Sequence, residues 1–157
     1  SYDDDVKNAY LYNAYDGVLY CAKMGAQVIN CSWGSRYNSP LEQKVINDVV
    51  QNYGAAVVCA AGNDHTDNDA HPFYPSDYKN TVAVAALDGS DRIASFSNYG
   101  QMIDISAPGV NIFSTIHYSA GGYASWDGTS MASPVMAGAY ALLKAWFPDK
   151  SREWLLA

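Results

Sequence analysis

The 157-residue sequence predicts a three-layer αβα fold, a mostly parallel sheet with helices on both faces. Short, continuous apolar runs alternate with segments of helical periodicity, which is typical of a parallel sheet buried by helices. The runs are rich in Val and Ala and lack the polar alternation of a half-exposed sheet. One helix is also bracketed by the Ser-Pro start and Gly stop expected of a helix covering such a sheet.

Two elements are predicted before residue 33. A helix over residues 9–24 ends at Gly25, and its apolar positions recur at helical spacing. The positions predicted to face the core are Ala14, Val18, Cys21 and Ala22. The run "AQVINCS", residues 26–32, predicts a strand covered on both faces.

The clearest helix signal is "SPLEQKVINDVVQNYG", residues 39–54. Ser39 is the predicted N-cap, Pro40 takes the first helical position, Glu42 completes a capping box, and Gly54 ends the helix. The predicted buried stripe comprises Leu41, Val45, Ile46, Val49, Val50 and Tyr53.

The second half of the chain continues the pattern. Fully buried strands are predicted over residues 55–63 and 81–87, and shorter strands around 93–97 and 102–106. A hairpin around 112–126 is indicated by "AGG" at its turn. A final helix over 130–147 ends before Pro148, with Val135, Ala139, Leu142, Leu143 and Trp146 predicted inward.

The loops after the first two strands are the expected ligand site. In parallel sheets, ligands bind at the carboxyl ends of the strands. The segments "SWG" (32–34) and "AGND" (61–64) should therefore lie at one edge of the sheet.

Composition excludes several classes of function. The net charge is −7 without any Lys/Arg cluster, which argues against nucleic acid or an anionic membrane as partner. No apolar run is long enough for a membrane span. The cysteines at 21, 31 and 59 lack the spacing of a zinc site or a disulfide framework, and Cys31 and Cys59 are predicted to be buried free thiols.

The segment "WDGTSMASPVMAG", residues 126–138, carries the chemistry. Gly128 permits a tight turn, and Ser130 then lies at a helix N-terminus, where free N–H groups favour a developing negative charge. From "GTS" alone two interpretations stay open. Ser130 is a nucleophile, or Thr129 or Ser130 is merely a helix cap.

The longer motif "GTSMASP" resembles the nucleophile signature of the subtilisin family of serine proteases, the subtilases. "VINCSWG" and "VVCAAGN" are similar to the segments that form the two walls of the family's substrate cleft. "FYPSDYKNTVAVAALD", "ASFSNYG" and "IDISAPG" resemble its following strands, so the likeness runs from about Asp16 to Trp154. The sequence departs from the family at "VMAG", where His-Val-Ala-Gly is usual.

The resemblance implies a serine endopeptidase in which Ser130 forms the acyl-enzyme and the Asn63 amide helps to bind the oxyanion. It implies that Trp33 shapes the subsite next to the main pocket and that Phe73 shortens that pocket. The substrate-binding residues it implies are Ser32, Trp33, Gly34, Ala60, Ala61, Gly62, Phe73 and Thr129.

The general base and its acid are not evident. Subtilases order their triad Asp, His, Ser, and this chain begins downstream of the first two. Its histidines, His65, His71 and His117, stand in no family-like motif, and His65 suits a surface turn. We therefore expect residues 1–157 to be the C-terminal part of one catalytic domain, cut at both ends and inactive alone. The alternative is a non-catalytic, subtilase-like peptide-binding or assembly domain, whereas an esterase-type hydrolase would need G-x-S-x-G.

Cofactors and partners follow the same reasoning. The loop "NDHTDNDAH" lacks the spacing of known metal motifs and is predicted to be a solvated acidic loop. No cofactor is required, although the resemblance implies a weak structural Ca²⁺ or monovalent cation site near Ser76–Thr81 and Asp104. The expected partners are a peptide or protein substrate and an upstream segment of the same protein. Dimerisation is expected if the chain is truly this short, and the family habit is extracellular.

Overall fold

The computed structural model describes residues 13–151 and 154, in which three α-helices and six strands are defined. The helices are α1 (Ala14–Lys23), α2 (Pro40–Tyr53) and α3 (Thr129–Trp146). The strands are β1 (Val28–Cys31), β2 (Ala56–Ala60), β3 (Thr81–Leu87), β4 (Ile105–Pro108), β5 (Ile112–Thr115) and β6 (Tyr123–Trp126). Strands β1 to β4 form a parallel sheet in that order, and β5 pairs antiparallel with β6.

The sheet is covered by helices on both faces, so the predicted fold class is confirmed. Alternate residues of β2 point to opposite sides: Val57 and Cys59 pack with α1 and α2, whereas Ala56 and Val58 pack with α3. Every residue of β2 is buried. The predicted buried free thiols Cys31 and Cys59 are also confirmed, and burial raises the pKa of the Cys59 thiol.

The predicted inner face of the last helix is wrong. All five predicted inward residues are exposed, from Leu143 at 39% to Trp146 at 81% for those whose fraction is known. The buried face of α3 combines four small residues with Met136 and Tyr140: Thr129, Ala132, Ser133, Met136, Ala137 and Tyr140. Hydrophobicity alone therefore selected the wrong side of this helix.

The other helix faces are narrower than predicted. In α2 only Ile46 and Val49 of the predicted stripe are buried, and Leu41 is 71% exposed. In α1, Val18 and Ala22 are buried but Cys21 is exposed. Residues 9–12 of the predicted first helix lie outside the described residues.

The predicted capping box of α2 forms only in part. Ser39 Oγ accepts a hydrogen bond from the Glu42 N–H at 3.4 Å, and Pro40 and Gly54 occupy their predicted places. The Glu42 carboxylate instead accepts a bond from the Tyr78 hydroxyl (2.9 Å), which itself accepts from the Ser39 N–H (2.9 Å). A tyrosine distant in sequence thus stands between the two halves of the box.

Three strand predictions also change. In β1, Asn30 is exposed, so this strand is not covered on both faces. Residues 93–97 contribute only an isolated bridge between Leu87 and Ile93, and the strand expected at 102–106 begins at Ile105. The hairpin is confirmed, with its turn at Gly121 and Gly122. Because β1 and β2 are parallel, the segments 32–34 and 61–64 follow them at one edge of the sheet, as predicted.

Candidate active site

Ser130 lies in the first turn of α3, half-buried, and no side chain caps this helix. The N-cap is Gly128, whose carbonyl accepts from the Met131 and Ala132 N–H groups at 3.0 and 3.2 Å. Among the described residues no acceptor contacts the Ser130 N–H. This donor is therefore available to a ligand, and neither Thr129 nor Ser130 serves as the cap.

Pro134 leaves one backbone carbonyl of α3 free for a side chain of the loop after β1 to bind. Proline has no N–H, so the carbonyl of Ser130, four residues earlier, loses its helical partner. Ser32 Oγ donates to that carbonyl at 2.9 Å, and Ser130 Oγ donates to the Ser32 carbonyl at 3.2 Å. The reciprocal pair fixes Ser130 against the loop after β1.

Thr129 orients the amide of Asn63. The Thr129 N–H and hydroxyl both donate to Asn63 Oδ1, at 2.9 and 2.8 Å, and the hydroxyl accepts from the Gly62 N–H at 3.2 Å. Thr129 is completely buried, so these bonds are shielded from water. With Oδ1 engaged twice, the Asn63 NH₂ group faces away from Thr129 and is free to donate.

The two free donors surround one position. A Cβ built on Gly128 would lie 3.6 Å from Ser130 N and 3.7 Å from Asn63 Nδ2. The φ of Gly128 is +152°, which side chains rarely adopt, so glycine keeps this space open. Two N–H donors that lie within reach of one atom-sized space are what an oxyanion site requires.

An open cavity of about 240 Å³ adjoins this position. Eight of the ten catalytic and substrate-binding residues expected from the sequence line it, together with Asp64: Trp33, Gly34, Ala60, Gly62, Asn63, Phe73, Thr129 and Ser130. Ser32 is not among the lining residues and instead hydrogen-bonds to Ser130. Ala61 does not line the cavity, which corrects its expected place in the wall: it is fully buried, and its carbonyl accepts from the Asn68 and Asn98 side chains.

Phe73 closes the far side of the cavity. Its ring touches Gly34 so closely that a Cβ there would overlap it, and the same ring approaches Gly62 on the opposite wall. The Ser35–Tyr74 backbone pair, with both N–H to O distances at 2.7 Å, holds Phe73 beside the first wall. The cavity is thus short and bounded by an aromatic ring.

The sequence matches the subtilase family over residues 1–155. The chain belongs to the subtilase family. It is 46% identical over 128 residues to the thermophilic serine proteinase of Bacillus sp. (strain AK1), covering 82% of this chain and 30% of that protein. It is 46% identical over 129 residues to thermitase of Thermoactinomyces vulgaris, covering 82% of this chain and 44% of that protein. With subtilisin BL of Lederbergia lenta it shares 42% identity over 138 residues, 88% of this chain and 48% of that protein.

Solved structures agree with this assignment. A cold-adapted subtilisin-like serine proteinase superposes with a TM-score of 0.80 at 33% identity, covering 90% of this chain and 50% of the other. A protease of Pseudoalteromonas arctica PAMC 21717 gives a TM-score of 0.80 at 31% identity, covering 90% and 48%. The subtilase chain described here therefore spans half or less of each of these relatives.

None of the subtilase's three histidines, all of them described, hydrogen-bonds to Ser130. His65 is exposed in a turn with φ +51° and lies beside Tyr99, at 5.5 Å between ring centroids. His117 Nδ1 bonds to the Ser119 hydroxyl at 2.6 Å, and the carbonyl of His71 accepts from Arg36 at 2.8 Å. The described part of the chain thus holds a serine beside two free N–H donors, without an adjacent histidine.

A buried polar network beneath the cavity escaped the sequence reasoning. Asn68, Asn98 and Asp77 are each 7% exposed or less, and Asp77 Oδ2 accepts from the Phe73 N–H at 2.6 Å. Burial raises the pKa of the Asp77 carboxyl, although bonds from Phe73, Ser76 and Asn68 oppose the shift. Scattered Asn and Asp in a loop carry no periodic signal, so only the tertiary structure brings them together.

A second cavity of about 700 Å³ lies on the other side of Trp33 and reaches α1 and α2. Tyr15 packs edge-on against Trp33, at 5.0 Å between ring centroids. Its hydroxyl is near Glu42, and burial followed by that carboxylate raises the pKa of Tyr15. Trp33 therefore separates two neighbouring depressions along the same cleft.

The acidic loop is tied down by protein groups. Asp64 pairs with Arg36 at 3.0 Å, and Asp69 accepts from the Gln101 and Met102 N–H groups at 2.9 Å each. Residues 13–151 and 154 hold no group of three or more His, Cys, Asp or Glu suited to a metal ion. Asp104 accepts from the Ala83 N–H at 2.7 Å, and the expected cation near it stays a prediction.

No helix among the described residues has the length and apolar character needed to cross a membrane.

Proposed function

We propose that the protein containing this chain is a serine endopeptidase in which Ser130 is the nucleophile. The observation that carries the proposal is that Ser130 N and Asn63 Nδ2 both lie within 3.7 Å of one position at Gly128 and that both residues line the same cavity. Ser130 Oγ attacks the peptide carbonyl while a general base takes the hydroxyl proton, and the two donors stabilise the oxyanion that forms. Collapse of this intermediate breaks the C–N bond, the base returns the proton to the leaving amine, and water then hydrolyses the acyl-enzyme.

We further propose that an upstream segment of the same protein supplies the general base. An apolar groove of about 330 Å³ runs between the β5–β6 hairpin and α3 and opens at Ser130. Ile112, Trp126, Met131 and Val135 are among its lining residues. A segment seated there would hold a side chain within reach of the serine hydroxyl, as a base requires. This chain spans half or less of the relatives compared, and those relatives have further residues of the kind that such a segment requires.

The cavity shape supports a preference at the residue before the scissile bond. Phe73 shortens the 240 Å³ cavity, so a small or medium apolar side chain fits better than a large aromatic one. Trp33 and Gly34 line this cavity, and an extended peptide would add as a strand along the backbone of residues 32–34. Trp33 then contacts the next part of the substrate. We place this activity outside the cell, as in the family's habit.

The experiment compares full-length protein with Ser130→Ala and with Ser90→Ala, an exposed serine in a distant turn. A fluorophosphonate probe and a set of peptide anilides report on the nucleophile and on turnover. We expect Ser90→Ala to match the wild type and Ser130→Ala to lose both labelling and hydrolysis. The purified residues 1–157 should hydrolyse negligibly, since an unaided serine is a poor nucleophile. Full-length protein that binds peptides without cleaving them would instead establish the non-catalytic alternative.

A further inference from the structure

Asn98 hydrogen-bonds to the residues immediately before and after Asn63 but does not line the cavity. It is completely buried, in the loop before β4, and is not among the cavity's lining residues. Its main-chain N–H donates to the Gly62 carbonyl at 3.0 Å, immediately before Asn63. Its side-chain Oδ1 accepts from the Asp64 N–H at 2.9 Å, immediately after Asn63.

Asn98 uses the rest of its side chain on the same loop. Nδ2 donates to the Ala61 carbonyl at 3.0 Å and to Asn68 Oδ1 at 2.9 Å. Oδ1 also accepts from the Thr66 N–H and hydroxyl, each at 3.2 Å. All the hydrogen-bonding groups of this amide are therefore engaged, which is the condition under which a buried polar side chain rigidifies its surroundings.

The Ala61–Gly62 peptide shows how this reaches the candidate oxyanion site. Its carbonyl is held by the two buried asparagine side chains, and its N–H is held by Thr129 on the opposite side. The next residue is Asn63, whose Oδ1 is bound by the same Thr129. The loop is thus held between Asn98 on one side and α3 on the other, and the Asn63 NH₂ group stays free to donate.

We propose that Asn98 is a positioning residue that sets the orientation of the Asn63 amide toward the oxyanion. The inference rests on the proposed function, because it assigns Asn98 a role in that reaction. Asn98 touches no substrate; it acts through Asn63. Small misplacements of a catalytic group are costly, and about 1 Å can lower a rate by about 10²-fold.

A double-mutant cycle in the full-length protein tests this. The four proteins are wild type, Asn98→Ser, Asn63→Ala and the double variant, assayed for kcat and KM on one peptide anilide. We expect Asn98→Ser to lower kcat by about 10- to 10²-fold with KM within about twofold. In the Asn63→Ala background the same change should lower kcat by less than about twofold, because the amide it positions is gone.

The matched control is Asn47→Ser in α2, the same substitution at a half-buried amide that binds Gln43 and Asn80 on another side of the molecule. It should leave kcat unchanged. Equal losses from Asn98→Ser in both backgrounds would overturn the proposal and reduce Asn98 to a structural residue. No loss in either would overturn it as well.

Hydrogen exchange makes the test independent of turnover. The Asp64 and Thr66 amides donate to Asn98 Oδ1, so Asn98→Ser should speed their exchange by about tenfold or more, while Asn47→Ser leaves it unchanged. Unchanged protection in Asn98→Ser overturns the proposal even if no substrate is cleaved. An inactive wild type with the expected exchange pattern would count against the proposed function and leave the clamp itself established.

Discussion

Two regions next to Ser130 differ in how far contacts within this chain complete them. One is the loop around Asn63, and the other is the outer face of α3 with the neighbouring β5–β6 hairpin. In the loop, buried Thr129, Asn68 and Asn98 bond to successive backbone groups from Ala61 to Thr66. On the outer side, large apolar side chains face outward: Phe113 is 70% exposed and Trp146 is 81% exposed. The backbone groups of the loop are hydrogen-bonded within the chain. The outer face of α3 and the hairpin instead expose apolar surface of a kind that monomeric proteins usually cover.

The difference indicates how the work of the site is divided. The groups that would bind an oxyanion are organised by residues within this chain. The surface next to Ser130, where a base would have to stand, is apolar and open. We therefore expect the oxyanion half to resist small changes elsewhere, and the outer face to depend on what covers it.

The largest expected effect is at Asn63. Asn63→Ala in the full-length protein should lower kcat by about 10²- to 10³-fold with little change in KM, the range recorded for removal of this kind of donor in subtilisin itself. Steady-state kinetics on a peptide anilide measures it. Asn52→Ala, an exposed amide on α2, is the control. A decrease in kcat of less than about threefold would mean that the Asn63 amide does not stabilise the oxyanion.

The next effect compares the two sides of α3. Met136→Ala, at a site only 8% exposed against the sheet, should cost about 2–5 kcal/mol of unfolding free energy in urea titrations. Its neighbour Val135 is 41% exposed and lines the groove. If a segment covers it in the full-length protein, Val135→Ala should cost about 1–2 kcal/mol. A cost below about 0.5 kcal/mol, usual for surface positions, would show that the groove stays open.

The smallest effect concerns Tyr78, far from the groove. Burial and the Glu42 carboxylate raise the pKa of Tyr78 to about 12, while its bond to the Ser39 N–H opposes the shift. A raised pKa means that the folded state holds the proton more tightly, so this stabilisation is complete below the unfolded pKa near 10 and declines as pH rises toward 12. The destabilisation caused by Tyr78→Phe should therefore shrink across that window. A constant difference between the two proteins from pH 8 to 12 would contradict the assignment.

Much of this comparison could be predicted from the sequence. Continuous apolar runs located the first three strands, and the Ser-Pro start and Gly end located α2, because these signals act within a few residues of chain. The motif around Ser130 and the loop at Asn63 were found through their resemblance to the subtilase family. These signals could not show which face of α3 meets the sheet, because its buried face includes Ala132, Ser133 and Ala137, whereas Leu142 and Trp146 are exposed.

Asn98, Asn68 and Asp77 illustrate the other limit. Each is an ordinary loop residue until folding brings positions up to 37 residues apart into one hydrogen-bonded group. Tyr78 entered the Glu42 capping box for the same reason. Local sequence patterns do not encode partners that are distant in sequence. The loops that line the cavity could therefore be predicted, but the buried hydrogen-bonded residues that support them could not.

The most direct test is a structure of the full-length protein after reaction with a peptidyl phosphonate. The phosphonyl oxygen stands in for the oxyanion. We predict a covalent bond from phosphorus to Ser130 Oγ and this oxygen about 2.7–3.1 Å from both Asn63 Nδ2 and Ser130 N. An adduct on another residue, or an oxygen directed away from Asn63, would contradict the account.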